Sequence, residues 1–164
     1  MSKKLLAIDQ SLRCTAWCIF EGDNLESLTS FGCIKTSKND GDLFTRVSII
    51  SSQLEKLSKQ DITHLCREGL SFGGVGNATR DLAYLVGAVE ATVGEPFAEV
   101  SPTSVKKFAT GSGRADKGGM IAALPSSISE WFISKNYKKT TGLADLADAY
   151  FIGQYFIDKL RNSV

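Results

Sequence analysis

Apolar positions change their period several times along this chain. Leu5 to Ile8 form an unbroken apolar run that ends on Asp9, a polar turn spans Gln10 to Arg13, and Cys14 to Phe20 form a second run rich in Thr, Trp, Ile and Phe. This reads as a buried strand over Lys4–Asp9, a tight connection, and a paired strand over Cys14–Phe20. Glu21–Asn24 turns the chain into a third strand, Ser27–Lys35, which completes an antiparallel meander. After a loop at Lys38–Asp42 the period becomes helical: Leu43, Phe44, Val47, Ile50, Leu54 and Leu57 predict a helix over Leu43–Ser58. A fourth strand follows at Ile62–Glu68. Gly69–Asn77 holds four glycines in nine residues and reads as a flexible loop. A helix over Asn77–Val93 carries Leu82, Leu85, Val86, Val89 and Val93 as a stripe that suits packing on its own sheet.

The remaining chain is more broken. Pro96–Val100 reads as a short fifth strand, and Ser101-Pro102 opens a short helix through Phe108. Thr110–Gly119 is glycine-rich and polar and reads as a mobile loop. Helical fragments at Met120–Leu124 and Ser129–Ser134 flank Pro125, Lys138–Gly142 reads as a loop, and a last helix runs over Leu143–Leu160. The order predicts a mixed α/β fold, one domain over residues 1–164, with a five-stranded sheet flanked by helices. The short link after strand 1 makes strand 2 its neighbour, and the helical crossover returns strand 4 to its other side. The expected strand order is 3-2-1-4-5.

That order concentrates acids. Asp9 and Glu68 end adjacent strands, although Arg67 interrupts the apolar pattern just before Glu68. Asp145 and Asp148 lie three apart on the last helix and so share a face, among Leu143, Leu146, Ala147, Ala149 and Tyr150. If that helix packs across the strand ends, four carboxylates converge. They repel one another unless cations neutralise them. An all-oxygen ligand set favours Mg²⁺, or Mn²⁺ as a substitute, over zinc. Two such ions, about 3.5–4 Å apart, activate water and stabilise a leaving oxygen in phosphodiester hydrolysis without a nucleophilic side chain.

Composition changes this picture only locally. The chain has 164 residues, 43% hydrophobic and 23% charged, as in ordinary globular proteins. No apolar run approaches membrane-spanning length, and Met-Ser-Lys-Lys before four apolar residues is no signal peptide. The expectation is a protein that stays in the cytoplasm where it is made. Cys14, Cys18, Cys33 and Cys66 form no Cys-x-x-Cys pair and there is one histidine, so buried free thiols are expected rather than a zinc site. Net charge is +1, but residues 101 to 140 carry Lys106, Lys107, Arg114, Lys117, Lys135, Lys138 and Lys139 against Asp116 and Glu130, a local excess of +5. A solvated lysine face is the ordinary reading; the interleaved glycines favour a phosphate-facing surface. The glycine loop has no Gly-Lys-Ser/Thr end, so no nucleotide cofactor is expected.

Five blocks, taken together, resemble a known family: Ala7-Ile-Asp9-Gln-Ser-Leu-Arg-Cys-Thr-Ala-Trp17, Glu68-Gly-Leu-Ser-Phe72, Ser101-Pro-Thr-Ser-Val-Lys-Lys107, Gly111-Ser-Gly-Arg-Ala-Asp-Lys117 and Ala144-Asp-Leu-Ala-Asp-Ala149. Their order and spacing are similar to those of RuvC-type Holliday junction resolvases, especially the bacteriophage relatives, across nearly the whole chain. The resemblance implies a ribonuclease H-like fold, a homodimer, and Mg²⁺-dependent cutting of four-way or other branched DNA in the bacterial host cytoplasm. It implies that Asp9, Glu68, Asp145 and Asp148 are the metal ligands and that Lys106, Lys107 and Lys117 lie near the DNA strands, with Arg114 in the same basic stretch. Phe72 would be an aromatic wedge at an opened junction or, equally, an anchor for its loop. Two residues depart from the family pattern: Gln10 stands where cellular members commonly have Pro, and Arg67 where they have an apolar residue. Arg67 reads as an exposed edge position, with a contact to DNA or a carboxylate as the alternative. Trp17, Phe20, Tyr155 and Phe156 read as core or dimer-interface residues.

Other functions stay open at this point. The same fold and acids serve a broader nuclease for flaps, forks or RNA. A branched-DNA binder without cleavage has no need of four crowded acids, and a sugar-kinase-type protein needs a second half that 164 residues do not supply.

Overall fold

The structure, a computed structural model, describes residues 2–71 and 76–163. Five strands, β1 (Lys3–Asp9), β2 (Cys14–Gly22), β3 (Ser27–Lys35), β4 (His64–Glu68) and β5 (Ala98–Val100), form one sheet in the order β3-β2-β1-β4-β5. β1–β2 and β2–β3 are antiparallel, whereas β4 runs parallel to both β1 and β5. The expected order therefore holds. The helices are α1 (Leu43–Ser58), α2 (Asn77–Val93), α3 (Pro102–Thr110), α4 (Lys117–Ala123), α5 (Ser126–Ser134) and α6 (Ala144–Asn162).

Side chains alternate across a strand, and this divides the core into two layers. Leu6, Ile8, Ile19, Ile34 and Leu65 pack with Val47, Ile50 and Leu54 of α1 and Leu85 and Val89 of α2. Leu5, Ala7, Ala16, Cys18, Phe20 and Cys66 face the other way, against Val105 of α3, Met120 of α4, Phe132 of α5 and a long stripe of α6. Trp17 belongs to the first layer; Phe20 and, at its margin, Tyr155 and Phe156 belong to the second. α6 comes very close to the sheet at Gly153, where a Cβ would collide with the Phe20 ring.

Several boundaries differ from those expected. β5 is shorter than Pro96–Val100 because Pro96 has no amide hydrogen to give a ladder. The stretch read as a loop, Thr110–Gly119, is non-helical over residues 111–116, but helices take both of its ends. α3 runs through Thr110 to an αL cap at Gly111. α4 starts at Lys117 because Asp116 caps it, accepting from the Gly119 amide at 2.8 Å. The loop expected at Lys138–Gly142 is a wide helical turn in which Leu143 N–H donates to Lys138 O, five residues back, at 3.0 Å. Gly142 closes it at φ +119°, where a Cβ would also stand 2.9 Å from Cys33 Sγ.

Candidate functional site

The same alternation that builds the core aims the acids. Asp9 follows Ala7 on the α6 side of β1, and Glu68 follows Cys66 on the α6 side of β4. The parallel ladder pairs Ile8 with Arg67, so Asp9 and Glu68 are the next positions on neighbouring strands. α6 packs across β1 and β2, and it brings Asp145 in its first turn and Asp148 one turn later over those strand ends. The helix N-terminus itself favours negative charge there.

The four carboxylates act on one another. Burial pushes the Asp9 carboxyl well above the usual carboxylate range, and the charges of Asp148, Glu68 and Asp145 push it further. Asp148 is pushed up to about 7, first by burial and then by Glu68 and Asp145, while Lys106 and Lys117 pull the other way. Burial raises Glu68 as well, opposed by Lys106. Three acids held towards their neutral forms in one place could hold a cation, which would relieve their repulsion. Among the described residues no three His, Cys, Asp or Glu side chains already stand in a ligating array. The fit to a metal is therefore read from the donor chemistry: hard oxygens only, with repulsion that a dication relieves.

Of the cationic residues nominated from sequence, Lys106 on α3 and Lys117 at the start of α4 reach the acids electrostatically. Lys107 and Arg114 are exposed. Phe72 and the glycines beside it, within residues 72–75, lie outside the described residues, as does that part of the flexible-loop reading. Arg67 is not an exposed edge residue. It is buried, because β5 covers β4, and it pairs with Glu90 at 2.8 Å and Glu99 at 2.7 Å. The thiols are free; Cys14, Cys18 and Cys66 are buried and Cys33 is half-buried. The hydrogen bond between the Cys14 and Cys33 thiols, with burial, raises Cys14 and keeps it protonated.

Sequence reading missed one feature. A groove of about 670 Å³ leads to Asp145, lined by Arg13, Lys35, Lys117 and Lys139 together with Ser11 and the Lys139–Gly142 turn. Lys35 Nζ donates to Thr141 O at 2.7 Å and so ties β3 to that turn. Arg13 and Lys35 are scattered among strand and turn residues; only the meander and the wide turn bring them beside Lys139.

No family model matches the chain. Curated relatives do. The crossover junction endodeoxyribonuclease RuvC of Rickettsia bellii (strain OSU 85-389) is 32% identical over 123 residues, which cover 71% of this chain and 77% of that protein. The chain belongs to the RuvC family. A second RuvC, from Rickettsia prowazekii (strain Madrid E), is 30% identical over 131 residues, covering 76% of this chain and 82% of the relative. Among solved structures, Thermus thermophilus RuvC in complex with Holliday junction substrate superposes with a TM-score of 0.63 over 94% of this chain and 97% of that one, at 17% identity. A second structure of Thermus thermophilus RuvC gives 0.60. The fold is thus that of RuvC, a ribonuclease H-like sheet with flanking helices.

Proposed function

We propose that this chain is a crossover junction endodeoxyribonuclease that cuts four-way DNA junctions by paired phosphodiester hydrolysis. The observation that carries the reading is the convergence of Asp9, Glu68, Asp145 and Asp148 from three elements at one end of the sheet, in a chain of the RuvC family. These four carboxylates would hold two Mg²⁺ ions, with Mn²⁺ as a substitute. Bound there, such ions lower the pKa of water and stabilise the leaving oxygen. The protein supplies the rest. Lys106 and Lys117 offset part of the acidic charge and draw a phosphate towards it. Arg13, Lys35 and Lys139 give a nucleic-acid strand a cationic path along the groove to Asp145.

Two active sites are needed to cut two strands symmetrically, so the reading includes a homodimer. The outer face of α2, where Ala83, Tyr84, Gly87 and Ala91 are exposed, offers a second copy a surface to close on. No helix among the described residues is long and apolar enough to cross a membrane. The placing among bacteriophage relatives, in a host cytoplasm, rests on the sequence blocks alone; the relatives compared above are bacterial.

The test is cleavage of a labelled synthetic four-way junction beside linear duplex, flap and fork, in Mg²⁺ and in Ca²⁺, with Asp145→Asn as the blank. Symmetric paired nicks on the junction, absent in the variant, are expected. Equal or stronger cutting of flaps and forks would move the function to general branched-DNA processing. Binding without cutting under any divalent ion would make the chain a junction-binding protein.

A further inference from the structure

Gln10 and Arg67, at the ends of two neighbouring strands, meet at one atom. The β1–β4 ladder ends at the Ile8–Arg67 pair, which leaves the Glu68 carbonyl beyond the last rung. Gln10 Nε2 donates to that carbonyl at 2.9 Å, and Arg67 Nη1 donates to it at 3.1 Å. Gln10 thus adds one rung to the ladder with its side chain. Gln10 is 6% exposed, and its Oε1 has no hydrogen-bond partner among the described residues. The orientation is nonetheless fixed, since the reverse placement would set two carbonyl oxygens against each other.

Arg67 does more than cap the strand. Alternation turns its side chain to the α2 side of the sheet, opposite to Glu68. There Nε donates to Glu90 Oε1 on α2 at 2.8 Å and Nη2 to Glu99 Oε1 on β5 at 2.7 Å. Glu90 Oε1 also accepts from the Phe97 amide at 3.2 Å. One guanidinium therefore fastens α2, β5 and the tip of β4 in a planar fork, a geometry that lysine cannot reproduce.

We propose that Gln10 and Arg67 are positioning residues for the metal site: by both donating to the Glu68 carbonyl, they set the distance between the Glu68 and Asp9 carboxylates. The inference rests on the proposed metal-dependent nuclease reading. Gln10 is adjacent to Asp9 and bonded to Glu68, so it links the two acidic strand ends directly. Without the clamp, Glu68 sits on a strand terminus whose carbonyl is unpaired and whose following residues leave the sheet after the single bond from Gly69 N to Val100 O at 2.8 Å.

The test uses the full-length protein and two readouts. Mn²⁺ binding is measured by calorimetry without DNA, and the Mg²⁺ concentration for half-maximal junction cleavage is measured separately. Gln10→Ala keeps the Arg67 bond and the fold; it should weaken Mn²⁺ binding by about 10–100-fold, the usual cost of losing a residue that orients a ligand. The Mg²⁺ requirement should rise in parallel, while junction binding in Ca²⁺ at saturating concentration stays unchanged. Gln10→Met, of similar length without a donor or a charge, should match Gln10→Ala. Arg67→Lys keeps a cation against Glu90 and Glu99; its melting temperature should recover most of what Arg67→Met loses, while its Mn²⁺ affinity stays low. A merely structural arginine would move both readouts together. Unchanged Mn²⁺ affinity and Mg²⁺ requirement in Gln10→Ala and Gln10→Met would overturn the proposal. Wild-type protein that binds Mn²⁺ but cuts no branched DNA would overturn the function and leave the positioning role standing.

Discussion

Replacing Asp148 by Asn should stabilise the metal-free protein, and only above a defined pH. Asp148 is a carboxylate pushed from 3.8 to about 7 by burial and by Glu68 and Asp145. In the unfolded chain it ionises near its ordinary value. Between those two values the folded chain binds the extra proton, so stability is full below about pH 4 and falls as pH rises towards 7. A rise of about three units corresponds to about 4 kcal/mol. Relaxation of the carboxylates and entry of water should reduce this to about 2 kcal/mol. Asp148→Asn keeps the shape and removes the charge, so at pH 8 in EDTA it should recover about 2 kcal/mol, or roughly 4–8 °C in melting temperature for a chain of this size. At or below about pH 4 the wild type and the variant should melt together. Saturating Mg²⁺ at pH 8 should reverse the order, because the wild type gains binding energy that the variant has lost. Thermal unfolding by circular dichroism at both pH values, with EDTA or Mg²⁺, is sufficient. A variant less stable than wild type at pH 8 in EDTA would refute the account of crowded charges.

Gly153→Ala should cost about 1–3 kcal/mol, because its methyl group would meet the Phe20 ring and push α6 off the sheet; urea unfolding measures it, and junction cleavage should fall further than stability because α6 carries Asp145 and Asp148. Lys139→Ala and Arg13→Ala should each weaken junction binding and lower the slope of log affinity against log salt by about 1, with little change in melting temperature; an unchanged slope would remove the groove from the DNA path. Lys106→Ala should raise the Glu68 and Asp148 pKa values further, since its charge now lowers both, and carbon-13 NMR titration of the carboxyls in EDTA would show it.

Local pattern was enough to find most elements because period reports burial directly. The run Leu5–Ile8 ending on Asp9, the helical stripe from Leu43 to Leu57 and the pair Asp145 and Asp148 are each explained within one element. The strand order follows from connection lengths, and the order brings the acids together. Arg67 is the instructive failure. A charge in a five-residue strand reads as an edge position, but its partners Glu90 and Glu99 lie 23 and 32 residues further on, in α2 and β5. At Thr110–Gly119 only the ends were misread: residues 111–116 are non-helical, but the αL stop at Gly111 lets α3 run through Thr110 and the Asp116 cap starts α4 at Lys117.

The sequence alone thus determined the elements, the two-faced sheet and the four acids, since these depend on alternation, helical period and chain order. The tertiary structure decided which charges share an environment. Only packing sets Asp148 against Glu68, joins Arg13, Lys35 and Lys139 along one groove, and turns Gln10 and Arg67 onto the Glu68 carbonyl. Burial and distance control electrostatic energy, and both arise between elements that the chain order keeps far apart.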